Sequence, residues 1–148
     1  MNYESYKGLK ANEDLSIVDF ISFGRNGAIN KRVEFTPTEM DDIYNLAFGD
    51  IDENNNINDY VISNNGDRNK VLATVADIVK AYTEKYPARW VLFEGSTEER
   101  TRLYRIAISL NLDYLAESFE IKCIVGGNIL QFKKSMVIDA FLIKRKKS

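Results

Sequence analysis

Residues 63–94 read SNNGDRNKVLATVADIVKAYTEKYPARWVLFE, and the fold turns on how this stretch is read. Val71, Leu72, Val75, Ile78, Val79 and Tyr82 recur at helical spacing, while Lys70, Asp77, Lys80 and Glu84 fall off that stripe. Asp67 stands where a helix N-cap belongs, and Tyr86-Pro87 stops the helix. Arg89-Trp90-Val91-Leu92-Phe93-Glu94 is then a short, nearly continuous apolar run, which suits a strand covered on both faces. A helix that joins two strands of one sheet makes those strands parallel.

The residues before this stretch carry a different period. Leu15 to Phe23 is apolar, β-branched and aromatic, and closes on the turn formers Gly24-Arg25-Asn26-Gly27. Arg32-Val33-Glu34-Phe35 alternates charged and apolar residues up to Pro37, and Ile43 to Phe48 reads as a third strand. Asp50 to Asn56 is too polar to pack, and Asp59-Tyr60-Val61-Ile62 is a fourth strand leading into the helix. The first 62 residues therefore predict an antiparallel meander.

Beyond the stretch, Ser96 and Glu99 have capping-box spacing, and Leu103, Ile106, Ala107 and Leu110 form the inner face of a second helix. Arg100, Arg102 and Arg105 give that helix a basic exterior, read as a solvated face. Phe119 to Val125 is a strand, Gly126-Gly127-Asn128 a turn, and Met136 to Ile143 a last strand flanked by lysines. The order is four strands, helix, strand, helix, two strands. We expect one α/β (α+β) domain over residues 1–148, built on a single mixed, largely antiparallel twisted sheet of about seven strands with two main helices. The basic residues from Lys144 to the end at Ser148 are expected to fray.

Composition excludes several classes of function. The chain has 148 residues, 45% of them hydrophobic and 28% charged, enough to bury a core without staples. It has no histidine, so Ser-His-Asp and Cys-His catalysis and histidine-built zinc sites are impossible within it. Cys123, the single cysteine, reads as a buried small hydrophobe. The longest uncharged stretch, Cys123 to Phe132, is about half of the roughly 20 residues a membrane helix needs, so no membrane partner is expected. Met1 to Lys10 hold no apolar run or cleavage site, and with one cysteine the expected setting is a reducing cytoplasm. Twenty basic residues against 22 acidic leave a net charge of -2, which does not mark a nucleic-acid binder.

Single residues stand out within this frame. Asp50, Asp52, Asn54 and Asn56 alternate like a calcium loop, but Asn55 and Val61 hold the positions where such a loop wants glycine and glutamate, so no metal is expected. Asp19 and Asp139 interrupt apolar strands, where a carboxylate needs a partner or water. Arg68 and Lys70 sit near a helix start, where cations are mildly misplaced and phosphate is welcome.

Asn64-Asn65-Gly66-Asp67, the run Gly95-Ser96-Thr97-Glu98-Glu99-Arg100-Thr101-Arg102-Leu103-Tyr104-Arg105 and the stretch Tyr44 to Asp50 resemble an uncharacterised family of small bacterial proteins, a domain of unknown function. That resemblance runs to about Ile121 and implies no chemistry. The element order also resembles the second half of the GCN5-related N-acetyltransferases: strand, phosphate-facing loop, helix, strand, helix, closing strands. In that family the loop's backbone N–H groups hold the pyrophosphate of acyl-CoA. The resemblance implies cofactor contact by Asn65, Gly66, Asp67, Arg68, Asn69 and Lys70, with Tyr104 of the Leu103-Tyr104 pair protonating the departing thiolate. The chain departs from the pattern in having one loop glycine, Gly66, followed by Asp67, in carrying Ile108-Ser109 where Gly-Phe is usual, and in lacking the helices that normally follow the first strand.

Two functions follow as expectations. The absent histidine, the degenerate loop and the lack of a clustered acid–base set point to a non-catalytic binding or interaction domain for a protein or a small anionic ligand. The alternative is an acyl-CoA-dependent N-acyltransferase with Tyr104 as acid and Asp59 or Glu94 relaying the amine proton. A lesser idea is nucleic-acid contact through Lys144-Arg145-Lys146-Lys147 and the arginine-bearing helix.

Overall fold

A computed structural model describes residues 4–58, 65–94, 97–133 and 136–146. In chain order the elements are β1 (Lys10–Ala11), β2 (Ile17–Gly24), β3 (Gly27–Pro37), β4 (Ile43–Ile51), β5 (Ile57–Asn58), α1 (Arg68–Lys85), β6 (Trp90–Phe93), α2 (Glu98–Leu110), α3 (Leu112–Ser118), β7 (Phe119–Val125), β8 (Asn128–Gln131) and β9 (Ala140–Arg145). The strands form one sheet in the order β1-β2-β3-β4-β6-β9-β7-β8, with β5 paired to β4. All its pairs are antiparallel except β4 with β6.

The meander forms as the alternating pattern dictates. Gly24 pairs with Gly27 at the β2–β3 turn, and Val18–Val33 and Val33–Phe48 are cross-strand partners. The parallel pair arises because α1 carries the chain from β4 back to β6. The parallel partner of β6 is β4, and the Asp59–Ile62 segment lies outside the described residues. The parallel ladder is short: it runs from Ile43–Trp90 to Asn45–Leu92 and stops. β4 continues to Ile51 and, among the described residues, pairs on that side with β5 at Asp50 and Ile51. The two parallel strands therefore part company after Leu92.

Inward residues of every long strand, such as Phe20, Phe35, Leu46, Phe93, Ile121 and Phe141, share one core with the buried stripe of α1 (Val71, Val75, Ile78, Val79, Tyr82). Tyr104 and Ile108 of α2 and Leu115 of α3 pack on the same core. The α1 stripe matches the periodicity, with Thr74 and Thr83 also buried because their hydroxyls donate to the Lys70 and Val79 carbonyls. The sequence expectation errs by one residue on α2. Its N-cap is Thr97, whose side chain accepts from the Arg100 N–H at 3.2 Å; Ser96 lies outside the described residues. Arg100, Tyr104 and Ile108 are the helix's buried positions, while Leu103, Ile106 and Ala107 are half-buried.

The C-terminal segment also differs from expectation. β9 starts at Ala140 rather than Met136 and runs through Arg145, so Lys144 and Arg145 lie in the ladder opposite Glu120 and Phe119 instead of fraying. Arg145 Nη2 donates to the Lys80 carbonyl at 2.6 Å, and Lys144 Nζ sits 5.6 Å from the Trp90 ring centroid. β9 is central, with neighbours β6 and β7, and Ala140 to Ile143 are all buried. The strand covered on both faces is thus β9, whereas β6 alternates half-buried and buried.

Candidate functional site

The end of β4 beyond its ladder with β6 is met by a side chain of α2. That side chain is Arg100, whose Nη1 donates to the Phe48 carbonyl at 2.9 Å. The guanidinium carbon stands 5.6 Å from the Phe48 ring centroid, and Lys31 Nζ stands 5.9 Å from the same ring. Lys31 reaches this point because it shares the inward face of β3 with Val33 and Phe35, and it pairs with Asp50 on β4 at 2.5 Å. Both cations are only 6% exposed.

They border a cleft of about 300 Å³ between the first turn of α1, the N-terminal half of α2 and the inward face of β3 and β4. Arg68, exposed on the first turn of α1, adds a third cation, while Val71, Leu72 and Leu103 form the apolar wall. Asp67 occupies the N-cap position of α1 without capping it. The Arg68, Asn69 and Lys70 amides are thus the orphan donors that every helix start carries, and the helix dipole adds partial positive charge. Among the described residues the cleft's charged lining is Lys31, Arg68, Arg100 and Asp67, with Lys31 itself paired to Asp50.

Asp67 is already engaged. The Tyr6 hydroxyl donates a short bond to its Oδ2, and Ser22 Oγ donates to the same atom at 2.5 Å. Asn65, 3% exposed, is pinned to the β2–β3 turn. Its Nδ2 donates to Ser22 Oγ and the Gly27 carbonyl, its Oδ1 accepts from the Asn26 N–H, and its own carbonyl accepts from the Arg25 N–H. The fit is close enough that a Cβ on Gly24 would collide with the Asn65 carbonyl. Gly66 has φ +79°, and the Arg25 guanidinium lies 3.2 Å from where its Cβ would stand.

Of the six loop residues named from the sequence, Asn65, Gly66, Asp67 and Arg68 border the cleft. Asn69 and Lys70 are not in its lining, and Lys70 Nζ lies 4.4 Å over the Tyr6 ring. Ser63, Asn64 and Asp59 lie outside the described residues. Tyr104 is absent from this cleft: it is 6% exposed, meets Phe93 edge-on at 5.6 Å and lines a separate apolar cavity between α1 and α2. Glu94 is exposed on the outer side of α2, beside a shallow groove that also holds Glu98, Arg102, Arg105 and Asp139.

The remaining candidates have structural partners. Asp19 meets Arg32 in a bidentate pair at 2.7 and 2.9 Å, which pushes the Arg32 guanidinium up. Asp139 accepts from the Gly126 N–H at 2.8 Å, and Asp52 accepts from the Asn54 and Asn56 N–H groups in a turn. Cys123 is fully buried, and burial pushes its thiol up. Sequence reasoning missed Lys31 and placed Arg100 on the wrong face. For Lys31 the signal was available, since it lies two residues before Val33 and four before Phe35 on one strand face.

No helix among the described residues is long and apolar enough to cross a membrane. No curated protein and no solved structure matches the chain. A cleft that joins Lys31 of β3 to Arg100 of α2 needs most of the chain in place, and it is nearly the whole chain, residues 2–146, that matches the model of a family of unknown function (DUF6934), to which the protein therefore belongs.

Proposed function

We propose that this protein is a non-catalytic binding domain that takes a phosphate-bearing small anion in the cleft at the start of α1. The observation that carries the proposal is the pair Lys31 and Arg100, each 6% exposed, gathered around Phe48 beside Arg68 and the uncapped first turn of α1. Lys31 is held by Asp50 and Arg100 by the Phe48 carbonyl, so an arriving anion meets cations already fixed in place. Arginine favours planar, two-pronged recognition of phosphate. The location is also where α/β sheets bind ligands, beyond the carboxyl end of a strand that enters a parallel pair.

A second reading, an acyl-CoA-dependent N-acyltransferase of GCN5-related topology, is favoured by the element order and by the β4–β6 parallel pair that parts beside the cleft. It would use the same cleft for pyrophosphate. Tyr104 is buried and does not line the cleft, which supports the binding reading over this one.

Thermal unfolding with inorganic pyrophosphate, ATP and coenzyme A tests the proposal. A ligand at 100 times its Kd adds about 2.7 kcal/mol, which for a chain of this size is a rise of roughly 5–10 °C in Tm. Arg68→Glu is expected to abolish the rise while leaving the ligand-free Tm unchanged or slightly higher, because an anion replaces a cation at a helix start. Absence of any rise at millimolar concentration in all three probes defeats the proposal. Acyl transfer from acetyl-CoA to an amine would move the assignment to the second reading.

A further inference from the structure

The cleft does not end at its cations. Leu72 lines it, and Leu72 also lines the apolar cavity of about 60 Å³ between α1 and α2. That cavity is walled by Val75, Ala76, Phe93, Tyr104, Ala107 and Ile108, among others. Of its two side chains with polar atoms, Tyr104 and Asn111, the latter turns its Nδ2 to the Ala107 carbonyl at 2.8 Å. Arg68, Leu72 and Ala76 follow one another at four-residue steps along α1, as Arg100, Tyr104 and Ile108 do along α2. The seam between the helices is therefore cationic at their N-terminal ends and apolar one to two turns further in, with Leu72 as the partition.

We infer that the ligand class is an amphiphilic anion: a phosphate head held by Lys31, Arg68 and Arg100, carrying a short aliphatic chain that passes Leu72 into the cavity between Ala76 and Ala107. This rests on the binding reading above and specifies its ligand. Chain length follows from volume. A dry cavity of ~150 Å³ accepts benzene, so the 60 Å³ here suits a chain of about two to four carbons. Most of the lining is apolar, which favours an aliphatic chain over water.

The test is a series of linear alkyl phosphates, from inorganic phosphate through ethyl and butyl to octyl phosphate, titrated by calorimetry against the full chain. Affinity is expected to rise about fourfold per methylene, as about 0.8 kcal/mol per buried CH₂ gives, and to level off beyond about four carbons. Ala107→Leu fills the cavity and is expected to remove the chain-length dependence while leaving the affinity for inorganic phosphate unchanged. Ala76→Val makes the same test from the other helix should the first variant fail to fold. Equal affinity for inorganic and butyl phosphate overturns the inference and leaves the anion site standing; so does a chain-length dependence that survives both fillings. Failure of every phosphate to bind removes the anion reading itself.

Discussion

Replacing Asp67 should move stability and binding in opposite directions. Its Oδ2 takes hydroxyl bonds from Tyr6 and Ser22, and Ser22 in turn accepts from Asn65. These bonds tie the start of α1 to the N-terminal segment and to the β2–β3 turn. A hydrogen bond to a charged group contributes about 1.5–3 kcal/mol. Because this pair is part-buried, the lower end applies, and Asp67→Ala should cost about 3 kcal/mol. For a chain of this length that is a fall of roughly 6–12 °C in Tm. No cap is lost with it, since the carboxylate does not cap α1. Asp67→Asn keeps an acceptor oxygen and should cost about 1 kcal/mol, the worth of an ordinary neutral hydrogen bond.

Both variants also remove the only described carboxylate from the cleft lining. A repulsion of about 1 kcal/mol per unit of ligand charge in a wet site is then lost, so an anion binds about fivefold tighter for each unit of its charge. Urea unfolding and pyrophosphate titration of the same two variants read both effects. Weaker pyrophosphate binding by Asp67→Asn would refute the electrostatic account of the cleft. A loss below about 1 kcal/mol in Asp67→Ala would refute the account of the tie.

Two further predictions follow from the aromatic neighbours. The Tyr6 hydroxyl is pushed up by burial and by its bond to Asp67, and the Tyr82 hydroxyl by burial against the opposing bond from Arg89. Both raised values favour the neutral phenol in the folded chain, so their stabilisation is complete below about pH 10, the unfolded value, and is lost as pH rises through the folded ones. Tyr6→Phe should lose less stability between neutral and alkaline pH than the parent, and equal slopes would falsify the assignment. Arg89 lies 4.0 Å from the Tyr44 ring centroid and 3.7 Å from that of Tyr86, and Nη1 donates to the Tyr82 hydroxyl at 2.8 Å. Arg89→Ala should cost about 2–4 kcal/mol from these combined contacts. Arg89→Lys should recover under half of it, because an ammonium cannot stack between two rings; full rescue in urea unfolding would show that charge alone matters.

The sequence made α1 and its flanking strands legible because their signals are local. Six apolar residues at helical spacing and Tyr86-Pro87 after them need no knowledge of the rest of the chain. That a parallel pair exists was legible, but not that Ile43–Asn45 supply the partner of β6, because only three-dimensional pairing selects it. On α2 the cap is Thr97, and packing on the sheet buries Arg100, Tyr104 and Ile108 where Leu103, Ile106, Ala107 and Leu110 were expected. The chemistry of Arg100 gave no warning, since an arginine at a helical position ordinarily reads as solvated. What it meets there is the Phe48 carbonyl, 52 residues earlier in the chain and brought close only by the assembled sheet. A contact created by tertiary structure cannot be read from either segment alone.

The same bond explains why the cleft's cations differ in what they contribute. Arg100 is held by the backbone it satisfies and Lys31 by Asp50, so neither must be ordered when an anion arrives. Ordering a long side chain at an interface costs about 0.5–1.5 kcal/mol, and only Arg68, exposed on α1, has that cost still to meet. Their fixed positions also make Arg100 and Lys31 poor residues for testing the site, because removing either disturbs the sheet before any ligand is involved. Arg68 carries the opposite balance. It borders the cleft and is solvated, and a cation at a helix start is slightly unfavourable to the fold. A charge that costs stability where it stands, next to two that the fold has locked in place, is the pattern expected of a residue retained for what it binds.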